Sequence, residues 1–216
     1  GMTRINVKIK AGQETELNGA GPDIPESAMQ ALEEKLDRLQ KGDILILAGS
    51  IPASLAQTTY ERILARLEGR DIRAVVDATR DLLVNVLRYK PFLIKPNNHE
   101  LSEIAGVKLT NDNEIVTAAR MMQAKGARNV LVSMAGDGAL LLDEQGGVHR
   151  IGCPKGKVVN SVGAGDSMVA GFVAGYQQSG GDYAAALKLG TACGSATAFS
   201  LGLATKADID KLLKTM

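Results

Sequence analysis

The stretch Asn160-Ser-Val-Gly-Ala-Gly-Asp-Ser-Met-Val-Ala-Gly171 holds the residues best suited to chemistry. Gly163, Ala164 and Gly165 are small, and Asp166 follows them at the head of an apolar, helix-like run. A turn of small residues there points successive backbone N–H groups into one space at the positive end of a helix, which makes an anion site. A carboxylate at its rim suits proton removal from a hydroxyl that attacks a phosphoryl group. The pattern points to a small-molecule kinase centre, although Gly-x-Gly-Asp also occurs as an ordinary turn with a helix N-cap. A dinucleotide fingerprint would need a third glycine where Met168 stands, and no Gly-x-x-x-x-Gly-Lys-Ser/Thr occurs.

Four further motifs each carry two readings. In Lys95-Pro-Asn-Asn-His-Glu100, Asn97 and Glu100 stand three residues apart at a helix start. They read as an N-cap with a capping-box glutamate, or as a site for phosphate and hydrated Mg2+, an ion that keeps several waters and needs one or two carboxylates. The two readings are compatible. Ser133-Met-Ala-Gly-Asp-Gly138 reads as a hairpin turn, or as a loop whose backbone approaches a nucleotide. Ala48-Gly-Ser-Ile-Pro52 reverses the chain or touches a sugar. Arg4, Asn6 and Lys8 share a strand face that is either a solvated edge or a cradle for a sugar phosphate. His99 and His149 have no partner at metal-ligand spacing.

These residues need a scaffold, and the hydrophobic periodicity supplies one. Thr3 to Lys10 alternates as a half-exposed strand, with Gln13 to Leu17 as its hairpin partner and Asn18–Pro22 as a turn. Pro25 opens a helix to about Gln40, stopped by Gly42. Ile44–Leu47 reads as a buried parallel strand, followed by a helix over Ser54–Leu67. Strands follow at Ile72–Val76, Phe92–Ile94 and Asn129–Val132, then a hairpin of Ala139–Leu142 with Gly147–Ile151. Helices are expected at Leu82–Leu87, His99–Ala105, Asn113–Lys125, Gly165–Gln178, Tyr183–Ser200 and Lys206–Leu213. Alternating strands and helices predict a parallel sheet with helices on both faces. Ligands bind beyond the carboxyl ends of such strands. Asp77, Lys95, Asn97, Glu100, Ser133, Gly136 and Asp166 all fall at those ends, so one crevice can hold them.

Composition excludes several classes. The 216 residues carry a net charge of +1, which gives no pull toward nucleic acid or anionic membranes. Aromatic residues are 3% of the chain and Trp is absent, so base-stacking platforms are not expected. No apolar run is long enough for a membrane span and no signal peptide is visible. Cys153 and Cys193 lack metal spacing and read as inert thiols of a reduced cytoplasm. Gly1, standing before Met2, reads as a cloning remnant outside the fold.

Taken together, the motifs resemble the ribokinase-like, or PfkB, carbohydrate kinase family. Within it they are most similar to the sugar-phosphate branch of 1-phosphofructokinase and tagatose-6-phosphate kinase. Asn160–Gly171 resembles the family's C-terminal signature. Thr3–Ile9, Ala48–Pro52, Lys95–Leu101 and Val132–Ala139 occur in the family's order.

The resemblance implies a three-layer α/β/α domain over residues 23–216 and the remnant of a β lid over residues 1–22. It implies ATP-dependent phosphorylation of a sugar phosphate: fructose 1-phosphate to fructose 1,6-bisphosphate, or alternatively tagatose 6-phosphate. Asp166 would be the base, and the amides of Gly163, Ala164 and Gly165 the anion hole. Asn97 and Glu100 would organise Mg2+ and phosphates. Ser133, Met134, Ala135, Gly136, Asp137 and Gly138 would contact ATP, together with Gly165 and Asp166, with Thr191 to Ser195 near the adenine. Arg4, with Asn6, would hold the sugar's phosphate. The family's opening segment, with a Gly-Gly-Lys-Gly-x-Asn motif and an early sugar-binding Asp, has no counterpart here. An N-terminally truncated chain is therefore expected to bind nucleotide with little turnover. Uncovered apolar surface should favour a homo-oligomer.

Overall fold

The computed structural model describes residues 2–11 and 13–216; Gly1, and with it the reading of that residue, lies outside them, as does the side chain of Lys10. The chain opens with a hairpin of β1 (Asn6–Ala11) and β2 (Gln13–Asn18), paired antiparallel with Val7 opposite Leu17. The strand begins at Asn6 and not at Thr3, so Arg4 lies just before it. Alternation puts Val7, Ile9 and Leu17 on one face, and all three are exposed, as is Ile5 before the strand.

The remainder is a six-stranded sheet in the order β3-β4-β5-β6-β7-β8. Strands β3 (Ile44–Ala48), β4 (Arg73–Asp77), β5 (Leu93–Ile94) and β6 (Asn129–Ser133) run parallel. Strands β7 (Ala139–Leu142) and β8 (Val148–Ile151) continue as an antiparallel hairpin. Helices α1 (Glu26–Leu36), α2 (Thr59–Leu67), α3 (Arg80–Val86), α4 (Asn98–Ala105) and α5 (Asp112–Ala124) precede β6. Helices α6 (Ala164–Gln178), α7 (Tyr183–Ala198) and α8 (Lys206–Leu213) complete the chain.

The period-2 alternation of the strands sorts the core into two layers. Val76, Ile94, Val130, Val132, Leu140 and Leu142 face the side covered by α2, α3, α4 and α5. Val75, Leu93, Leu131, Ala139 and Leu141 face α6 and α7. The three-layer α/β/α expectation holds.

Besides the start of β1 and shifts of one or two residues elsewhere, two helix boundaries and the burial of one strand differ from the sequence reading. Helix α1 ends at Leu36, before Gln40. The Arg70 guanidinium donates to the carbonyls of Asp37 at 2.8 Å and Leu39 at 2.6 Å, satisfying groups a longer helix would have used. Helix α2 starts at Thr59, because Pro52–Thr58 closes short turns, Leu55 N–H donating to Pro52 O at 2.9 Å. Strand β3 is parallel but not buried. It is the sheet's edge, and Ile46 is 43% exposed. An apolar run encodes burial potential and not the number of neighbouring strands.

Helices α6 and α7 pack backbone to backbone. A Cβ at Gly190 would lie 2.9 Å from Met168 O, and one at Gly194 would lie 3.0 Å from Ala164 O. Across the same seam, a Cβ at Gly171 would lie 2.6 Å from Cys193 Sγ. This contact fixes where α6 begins.

Candidate active site

Gly163 is the N-cap of α6, in a left-handed conformation at φ 78° that other residues adopt at a cost. It turns the chain so that the amides of Ala164 and Gly165 open the helix. Asp166 stands in this first turn and is exposed. The turn is braced from both sides. Asn160 Nδ2 donates to Leu201 O at 3.0 Å, and Ser167 and Thr197 hydroxyls lie 2.9 Å apart. The small residues thus lead into a helix N-terminus with a carboxylate in its first turn, and the Ala164 N–H donates to Ser161 O at 3.2 Å.

Asn97 caps α4. Its Oδ1 accepts the N–H groups of His99 at 2.9 Å and Glu100 at 2.8 Å, and Glu100 Oε2 accepts the Asn97 N–H at 2.8 Å. The capping-box reading is correct. An isolated bridge pairs Asn97 with Ser133, and Ser133 N–H donates to Pro96 O at 3.2 Å. The loops after β5 and β6 therefore lie side by side.

The segment Ser133–Gly138 is a tight connection containing a single 3-10 turn at Ala135–Asp137. Met134 is buried, while Ala135, Gly136 and Asp137 are exposed. Ala135 has φ 47°, an uncommon conformation for a residue with a side chain. Thr191 and Ser195 are buried on α7; among the described residues Thr191 Oγ1 has no hydrogen-bond partner, and Ser195 Oγ lies 3.6 Å from Cys153 Sγ.

Arg4 crosses from the hairpin to the sheet. Its Nη1 donates to Ser50 Oγ at 3.0 Å and its Nε to Asn6 Oδ1 at 2.9 Å. Ser50 follows β3, so Arg4 and Asn6 reach the carboxyl end of the sheet, where Asp77 and Lys95 also lie. Lys95 is 6% exposed, and its Nζ lies 3.2 Å from Asp77 Oδ1. Burial pushes the Asp77 carboxyl up, the Lys95 ammonium offsets part of that, and Asp166 and Glu100 push it up further. The sequence reading placed Asp77, Lys95 and Ser50 near this rim without giving them roles. A lysine and an aspartate each closing an apolar strand were the available signal.

Among the described residues no three His, Cys, Asp or Glu side chains gather as a metal site. Asn97 and Glu100 offer hard oxygen donors, but the one side-chain oxygen of Asn97 accepts two N–H groups of the cap and Glu100 Oε2 accepts a third, which leaves Glu100 Oε1. This donor set fits a hydrated Mg2+ held through water and phosphate oxygens, not a directly caged ion.

The pfkB family carbohydrate kinase model matches residues 2–210. A 1-phosphofructokinase from Bacillus subtilis is 48% identical over 99% of this chain and 70% of its own length. A D-tagatose-1-phosphate kinase from Bacillus licheniformis is 36% identical over 100% of this chain and 69% of its own. The fold agrees with that of Escherichia coli phosphofructokinase-2 in complex with fructose-6-phosphate. Its TM-score is 0.86 at 26% identity, over 97% of this chain and 69% of that one. With the glycine turn, its aspartate and the capped loop standing at one sheet end, these matches lead to one conclusion: the chain belongs to the pfkB family of carbohydrate kinases.

Proposed function

We propose that this protein transfers the γ-phosphoryl group of ATP to a sugar phosphate, with fructose 1-phosphate as the favoured acceptor. The observation that carries the reading is Asp166 in the first turn of α6, directly after the Gly163–Gly165 turn, with the Lys95 ammonium beside Gly165. Asp166 takes the proton of the attacking hydroxyl. The amides of Gly163, Ala164 and Gly165 receive the charge of the transferring group, the Ala164 N–H giving up its 3.2 Å bond to Ser161 O. Asn97 and Glu100 would hold the waters of Mg2+, which would supply charge neutralisation to the phosphates. Ser133–Gly138 follows the nucleotide's backbone, and Thr191 and Ser195 meet its base. Arg4, with Asn6 and Ser50, holds the phosphate the sugar already carries; a guanidinium suits that role.

The 48% identity to a 1-phosphofructokinase favours fructose 1-phosphate. The tagatose alternative is better written with the 1-phosphate than the 6-phosphate, following the name of the Bacillus licheniformis relative. Fructose and tagatose differ only in configuration at C4, so the phosphate contacts serve both. We further assign residues 1–22 as a lid and residues 23–216 as the kinase domain, working in the cytoplasm as a homo-oligomer. The exposed apolar face of the hairpin and the open edge of β3 support the association.

Nucleotide binding without efficient transfer is a second reading. It is favoured by the acceptor side of the site, where β3 is an edge and Ala48, Gly49 and Ser50 are exposed. Poor positioning of the acceptor alone costs many orders of magnitude in rate. Calorimetry should detect Mg·ATP binding, and a coupled assay should find slow transfer to fructose 1-phosphate. Asp166→Asn should reduce that transfer by about 10²–10⁴-fold and leave ATP affinity within about twofold. Turnover within about threefold of the parent removes Asp166 from the chemistry.

A further inference from the structure

Asp77 ends β4 and Lys95 follows β5, on the neighbouring parallel strand. Val76 pairs with Ile94, so Asp77 and Lys95 are the next side-by-side positions in the register. Val76 and Ile94 face the α2–α5 layer. Alternation therefore turns Asp77 and Lys95 toward the other layer, where α6 begins. The distances agree. A Cβ at Gly165 would lie 3.4 Å from Lys95 Nζ and 3.6 Å from its Cε. Among the described residues the one ion pair Lys95 makes within 4 Å is with Asp77. A buried ion pair is rarely a net stabiliser, and apolar residues of similar volume often serve the fold as well.

We propose that Asp77 is a positioning residue for phosphoryl transfer, holding the Lys95 ammonium against the Gly165 end of the anion-binding turn. This rests on the phosphotransferase reading of that turn. Two consequences follow from the charges. The ammonium adds a fixed positive charge where the terminal phosphoryl group arrives. Asp77 also competes for Lys95 with Asp166 and Glu100, the carboxylates whose charges act on Asp77 itself. Lys95 is thereby kept from neutralising the base that must accept a proton.

The test uses the whole chain and two readouts. In the nucleotide-free chain, Asp77→Asn and Lys95→Met should both shift the Gly165 amide resonance in a ¹H–¹⁵N spectrum. Methyl signals of Leu131 and Val132 should stay in place. By calorimetry, Asp77→Asn should weaken Mg·ATP by about tenfold to a hundredfold, the scale of a hydrogen bond to a charged group. Mg·ADP lacks the terminal phosphoryl and should change by less than about twofold. Asp77→Glu should restore part of the ATP affinity. The double variant Asp77→Leu/Lys95→Met should fold as stably as the parent and still bind ATP weakly. Equal weakening of ATP and ADP, unchanged ATP affinity, or a Gly165 amide indifferent to Asp77→Asn would each overturn the proposal. A parent chain that binds no ATP would defeat the kinase reading; a Gly165 amide that still responded to Asp77→Asn would support the Asp77 anchor on its own.

Discussion

Gly165→Ala separates stability from function at one atom. Gly165 is the second residue of α6 and has no positive φ, so alanine fits its backbone. Alanine is favoured over glycine in a helix by up to about 1 kcal/mol, less in the first turn. The new methyl meets only the end of the Lys95 side chain, at 3.4 Å from Nζ and 3.6 Å from Cε. Those are ordinary van der Waals contacts, so no large steric cost opposes the gain. The fold should be unchanged or more stable by a few tenths of a kcal/mol, raising Tm by about 1–2 °C. The same methyl takes the space between the ammonium and the turn. A terminal phosphoryl group loses both a close amide and a close cation. Together those contacts should cost about 2–4 kcal/mol, or roughly 30-fold to 1000-fold in Mg·ATP affinity. Thermal denaturation followed by calorimetry on one preparation reads both quantities. A Tm drop above about 4 °C, or ATP affinity within about threefold of the parent, would refute the reasoning.

Arg4→Ala should raise the KM for the sugar phosphate by about tenfold or more and leave the KM for ATP within twofold, since the lost contact serves only the acceptor's phosphate; equal damage to both points to a structural role for the Arg4–Ser50 bond. The third prediction concerns pH. Asp143 feels burial, which raises its pKa. Its pairing with His149 at 2.7 Å and the N–H groups of Gly147 at 2.9 Å and Gln145 at 2.8 Å outweigh that, so the carboxyl is held below its ordinary value. A depressed folded pKa stabilises the protein fully above the unfolded value and loses that stabilisation as pH falls through the folded one. Asp143→Asn should therefore lower Tm at pH 7, with a gap that narrows below about pH 4; a gap constant down to about pH 3 would sink the assignment.

The helix and strand order was legible because hydrophobic period and punctuation agree along the chain. Gly163 to Asp166 could be placed at a helix start from its residue types alone. Asn97 and Glu100 were legible as a cap, since a capping box is local. What escaped reading depends on register between distant strands. Nothing around Val76 or around Ile94 says that the two are neighbours, and without that pairing Asp77 and Lys95 are two charges and not one device. The Arg4–Ser50 bond likewise joins a hairpin to a sheet edge through tertiary packing. Strand β3 read as buried because its composition suits burial, whereas its position at the edge is a property of the assembled sheet.

The glycine seam between α6 and α7 has a consequence for how this site can drift. Gly190 and Gly194 lie against the backbone of α6, and their bare Cα atoms set how far α6 can approach α7. A single methyl there would push the helices apart, carrying the Gly163–Gly165 turn and Asp166 with them as one piece. Reaction geometry tolerates displacements of only about half an ångström, and a misplacement of about 1 Å can cost a hundredfold in rate. The aim of the Asp166 carboxylate is thus encoded on the far side of the helix that bears it. Such substitutions would leave every reactive side chain in place and detune the enzyme by translation, like a sight knocked off its mount.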